Sequence, residues 1–80
     1  MRHGPPMLAM SSESFVRILL RVGFVVYRQG PPATILERGT RAVVVPERAR
    51  LSPDVVFDLR KMAGLTWREL EALIADLRLP

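Results

Sequence analysis

Cysteine is absent from this 80-residue chain, and histidine occurs once, at His3. Without cysteine there is neither a disulfide staple nor a thiolate ligand, and a single histidine cannot assemble a zinc site. Such a composition suits a reducing cytosol. No stretch approaches the roughly 18 uninterrupted apolar residues of a membrane span. No charged leader runs into an apolar signal core, so a cytoplasmic location is expected. Lysine is almost missing as well: of the 12 cations only Lys61 is not arginine. Carboxylates paired at catalytic spacing and a glycine-rich phosphate loop are both lacking, and no cofactor is implied. Tyr27 is a poor base, since a phenol titrates near pH 10.

What is present is apolar and punctuated. At 49% hydrophobic residues, the length fits one small domain near the lower limit for burying a core unaided. The organising stretch runs from Gly23 to Pro46. Phe24-Val25-Val26-Tyr27 has the β-branched and aromatic content of a strand. Gly30-Pro31-Pro32 must interrupt it, because proline donates no ladder hydrogen bond. Ala33 to Arg38 forms a second strand, Gly39 supplies the turn, and Arg41 to Pro46 returns as a third. The expected ranges are 24–29, 33–38 and 41–46.

Helices flank the strands. Ser11 or Ser12 caps one with Glu13 in its first turn, and Gly23 ends it. Its apolar face is Phe15, Leu19 and Val22, beside Val16 and Leu20, with Arg17 and Arg21 opposite. Ser52, Pro53 and Asp54 start a second helix, buried through Val55, Val56, Leu59 and Met62 and stopped by Gly64. Thr66 and Glu69 have the spacing of a capping box for a third, whose apolar face is Trp67, Leu70, Leu73, Ile74 and Leu77. Trp67 reads as a core anchor rather than a base-stacking platform. The order α, β, β, β, α, α predicts an α+β fold with helices on one face of an antiparallel meander. Phe15, Leu19, Phe24, Val26, Val43, Val45, Leu59 and Trp67 are its expected core. Residues 1–10 lack periodicity and read as a tail, with Met10 an alternative start and 11–80 the domain.

The formal net charge is +4. Between residues 28 and 50, Arg28, Arg38, Arg41, Arg48 and Arg50 outnumber Glu37 and Glu47, so the strands and the following loop carry most of the excess. Arginine matches phosphate bidentately. The expectation is one positive surface, formed by the open sheet face and the loop after the third strand, that meets RNA or an acidic protein.

Several segments taken together resemble the HicA toxins. They are Leu20-Arg21-Val22-Gly23-Phe24, Arg28-Gln29, Val43-Val44-Val45-Pro46, Leu51-Ser52-Pro53, and Leu59 through Leu65 running into a Thr-capped helix. The resemblance covers residues 11 to about 75. It implies a double-stranded-RNA-binding-domain-like fold, mRNA interferase activity and a HicB-like antitoxin partner. In that family the second strand opens with Gly-Ser-His, whose histidine is catalytic. Here the segment is Gly30-Pro31-Pro32-Ala33-Thr34, and the histidine position falls on Ala33, or on Pro32 or Thr34 if slid by one. None can take a proton from a ribose 2′-hydroxyl, and losing a general base removes on the order of 10²- to 10⁴-fold in rate. The turn between the second and third strands is also one residue shorter than usual in the family.

The resemblance therefore implies an RNA-binding protein of toxin-antitoxin type with weak or no RNase activity, contacting RNA through Arg28, Gln29, Arg38, Arg41, Arg48 and Arg50. An active interferase using a displaced residue, or His3, is one alternative. The other is a helix-turn-helix DNA binder, from the helix, Gly64 turn and helix spacing of residues 59–70.

Overall fold

The computed structural model describes residues 8–79, and His3 lies outside them. Six elements follow one another: α1 (Ser12–Arg21), β1 (Val25–Arg28), β2 (Ala33–Arg38), β3 (Arg41–Pro46), α2 (Pro53–Ala63) and α3 (Trp67–Leu77). The strands form one antiparallel sheet in the order β1-β2-β3. This is the predicted α+β architecture.

Local chemistry sets the element ends. The Ser11 side chain accepts from the Ser14 N–H at 3.0 Å and caps α1, while Gly23, at φ +96°, turns the chain out of it. Gly39 takes φ +63° at the first position of the two-residue β2–β3 turn, a conformation that a side chain disfavours. Gly64 ends α2 at φ +77°, and the Leu65 N–H donates back to the Arg60 carbonyl at 3.0 Å. Thr66 and Glu69 exchange both bonds of the capping box, at 2.7 and 3.1 Å.

The core lies between one face of the sheet and the helices. Thr34 and Leu36 on β2, with Val43 and Val45 on β3, turn to that side and are buried. Phe15, Ile18 and Leu19 from α1, Val56, Leu59 and Ala63 from α2, and Leu70 from α3 meet them. Successive strand residues point to opposite faces, so Ile35, Glu37, Ala42 and Val44 belong to the other, open side.

Four expectations change. Val26 pairs with Leu36 and so points toward the helix side, yet it is 42% exposed because β1 is an edge strand and an open cleft lies between Val26 and α1. Met62 is exposed, since Ala63 rather than Met62 completes the buried side of α2. Trp67 is half-buried, packing at the margin against Phe57 with ring centroids 5.8 Å apart. The domain also begins before Ser11: Met10 is buried, and its carbonyl accepts from the Leu51 N–H at 2.7 Å.

Candidate functional site

The five arginines expected on one surface are distributed around the molecule. Arg38 and Arg41 flank the β2–β3 turn and face each other across it. By alternation they share the helix side with Leu36 and Val43, not the open face. Each meets the end of a helix. Arg38 donates to the Val22 carbonyl at the end of α1, with its guanidinium 5.1 Å from the Phe24 ring centroid. Arg41 donates to the Met62 carbonyl of α2 at 3.0 Å. A cation there satisfies a carbonyl without an intrahelical partner and complements the negative end of the helix dipole. These two arginines are structural caps.

Arg28 is on the open face, paired with Ile35 across a β-bulge. Its neighbours there are apolar: Val25 is 62% exposed and Val44 48%. Arg50 borders a separate depression with Ala9, Ser52 and Pro53. Arg48 lies beside the N-terminus of α1, whereas Arg38 sits at its C-terminus. A ten-residue helix puts about 15 Å between those ends. The single positive surface is therefore not formed.

What the fold does bring together is a polar cleft of about 470 Å³. Ser12 builds it. Its hydroxyl, nearly buried, accepts from the Arg48 N–H at 2.6 Å and lies within hydrogen-bonding reach of the Pro46 and Arg48 carbonyls. The Ser12 N–H donates to the Arg48 carbonyl at 3.1 Å. These bonds hold the chain after β3 against the first turn of α1. Glu13 and Arg17 then form one wall, and Glu47, Arg48 and Ala49 the facing one. Gln29 and Val26 close the β1 side, and buried Thr34 lies at the base, its hydroxyl donating to Glu47 Oε2 at 3.4 Å.

Two residues singled out from the sequence, Gln29 and Arg48, thus converge in the cleft, next to the 30–34 segment. On sequence grounds Glu13, Arg17 and Ser12 are only helix surface and cap. Their one sequence signal is that Glu13 and Arg17 share the helix face opposite Phe15 and Leu19. In the 30–34 segment, the Ala33 N–H donates to the Gly30 carbonyl at 3.0 Å and the Pro32 carbonyl accepts from the Glu47 N–H at 2.9 Å. Thr34 faces the cleft, so Ala33 projects to the opposite side of the strand. Neither residue titrates.

The α2–α3 unit has the three-residue turn expected of a helix-turn-helix. Its second helix carries Glu69, Glu71 and Asp76 against Arg68, with Arg78 just past its end; Asp76 pairs with Arg21 of α1 at 2.8 Å. That helix would bring net negative charge to a DNA groove. Among the described residues, no helix is long and apolar enough to cross a membrane. Comparison with protein-family models, with curated proteins and with solved structures finds no match for this chain.

Proposed function

We propose that this chain is a HicA-like, cytoplasmic RNA-binding domain of toxin-antitoxin type that has lost the chemistry of an RNase, with an acidic HicB-like protein as its second partner. The observation that carries the reading is the convergence of Gln29, Arg17 and Arg48 in a cleft beside the 30–34 segment. RNA binding needs guanidinium groups open to phosphate and an amide for a base edge. Arg38 and Arg41 are engaged with helix carbonyls and drop out of the binding set. Arg48 and Gln29 remain, Arg17 joins them, and Arg28 and Arg50 are peripheral.

The loss of catalysis rests on Ala33 and Thr34. Cleavage at a 2′-hydroxyl needs a base within hydrogen-bonding reach whose pKa lies near the working pH. A methyl group pointing away from the cleft and a buried threonine hydroxyl bonded to a carboxylate supply none.

The test is to incubate the purified chain with labelled RNA and follow binding and chain length together. Binding whose logarithm falls linearly with the logarithm of salt concentration, with the RNA left intact, is the expected result. Cleavage that persists after His3→Ala would overturn the non-catalytic part. Absence of any RNA binding at low salt would overturn the reading as a whole.

A further inference from the structure

The cleft carries charges that do not neutralise one another. Glu13 and Arg17 stand one turn apart on α1, the spacing and order at which a glutamate and a cation favour pairing. Glu47 and Arg48 are consecutive on the facing wall. Yet among the described residues the salt bridge that forms is Arg21 with Asp76, one turn beyond Arg17 at the C-terminal end of α1. Two guanidinium groups and two carboxylates therefore face a ligand with no ion-pair partner, Glu47 keeping one oxygen on the Thr34 hydroxyl. Val16, Val26 and Ala49 add an apolar wall.

A ligand that uses all of these needs an anionic group, adjacent hydrogen-bond donors and a flat apolar face. Inorganic phosphate engages the arginines alone, and a basic peptide the glutamates alone. A guanosine phosphate unit has all three features: phosphate oxygens suit guanidinium, the N1–H and N2–H edge suits a carboxylate, and the ring face packs on aliphatic side chains. Uridine presents one donor on that edge. The cleft volume, about 470 Å³, falls within the roughly 300–1,000 Å³ of small-molecule sites. It is too small for a duplex, whose recognition by a double-stranded-RNA-binding domain extends over about 16 base pairs.

We infer that this cleft holds one unpaired guanosine of an RNA strand, with its phosphate on Arg17 and Arg48 and its Watson–Crick edge on Glu13 and Glu47. This rests on the RNA-binding reading and sharpens it to a single-stranded, base-selective site. The base must be unpaired, because pairing with cytosine occupies the same edge.

The probes are uridine ribotetramers carrying one G, A or C at the second position, all-uridine tetramer, and a blunt RNA duplex, titrated against the intact chain by fluorescence anisotropy. The G tetramer should bind about tenfold tighter than the all-uridine one, the scale of a good base contact. Glu13→Gln and Glu47→Gln should erase that preference. Arg17→Gln and Arg48→Gln should weaken every tetramer alike and flatten the salt slope by roughly 0.7 for each phosphate no longer neutralised. The inference is overturned, and RNA binding left standing, if the duplex outcompetes the tetramers or if the four variants bind like the parent chain. If neither tetramers nor duplex bind at low salt, RNA binding itself falls and takes the inference with it. All four positions are exposed, so an unchanged melting temperature verifies that each variant is folded.

Discussion

The two faces of the sheet differ little in sequence and completely in circumstance. On β3, Val43 and Val45 have no exposed surface, while Val44 between them is 48% exposed. The three side chains are identical, so burial here is a property of what lies opposite. Arginine repeats the lesson in reverse: Arg38 and Arg41 occupy the covered side, where their guanidinium groups reach helix carbonyls at the rim, and Arg28 alone among the three strand arginines faces outward. The covered face is thus closed at one end by cations, and the open face is predominantly apolar. A count of charges along the chain cannot distinguish these arrangements, whereas the parity of each residue can.

The largest effect that separates the faces is a cavity. Leu36→Ala on the covered side should lose on the order of 2–5 kcal/mol, because the space left behind refills only partly. Val44→Thr on the open side should stay within about 0.5 kcal/mol. Urea unfolding of both variants measures this. Equal losses would mean that the open face is buried in solution and would break the comparison.

Next in size are two glycines at positive φ. Gly39, at the hairpin tip, has nothing within 4 Å of where a Cβ would stand; Gly64 has the Arg41 guanidinium carbon at 2.9 Å. Alanine at either site should cost roughly 1–2 kcal/mol in backbone conformation. Gly64→Ala should cost more, because it also displaces Arg41. Combining it with Arg41→Ala isolates that second part: a double variant in which the two losses simply add would show that the crowding has no energetic consequence.

Much of the fold is legible in the sequence because its boundaries are local. Ser11, Gly23, Gly39, Pro46, Ser52, Gly64 and Thr66 each act within a few residues of themselves, and each stands at an element end. Strand faces are legible only through alternation. It places Val43 and Val45 correctly, and the same count carries Arg41 to the covered side, which grouping the arginines by position along the chain overlooks. Val26 has the right parity and is still exposed, since how far α1 extends over an edge strand is a tertiary fact. The pairing of Met10 with Leu51 joins residues with no local signal for each other. The cleft is illegible for the same reason: Ser12 brings Glu13 and Arg17 to Arg48 through bonds spanning 36 residues.

A smaller effect tests the roles of the arginines. Arg41→Gln removes a charge-assisted bond to the Met62 carbonyl and should cost about 0.5–1.5 kcal/mol without changing RNA affinity. Arg48→Gln should do the opposite, lowering RNA affinity and leaving stability nearly unchanged, because its backbone N–H and not its side chain bonds to Ser12. Thermal melts and RNA titrations of the same two proteins suffice. The distinction between a structural and a binding arginine disappears if both variants lose both properties, or if their effects are exchanged.

The smallest effect concerns the outer layer of the covering helices. α3 contributes only Leu70 to the fully buried set, so its local capping box carries a larger share of its order than caps do in α1 and α2. The Thr66 backbone N–H, 2.7 Å from Glu69 Oε1, holds that carboxyl below its ordinary value of 4.5, with the Thr66 side chain adding to it. A carboxyl depressed in the folded state stabilises fully above its unfolded pKa, and the contribution fades as pH falls through the folded one. Parent chain and Glu69→Gln should therefore differ most near neutrality, because glutamine can keep the hydrogen bond but not the charge. The difference should narrow as pH falls below about 4.5. Solvent exposure and added salt keep it small. Unfolding midpoints between neutrality and pH 3 measure it, and parallel curves for the two proteins would show that the box holds α3 through geometry alone.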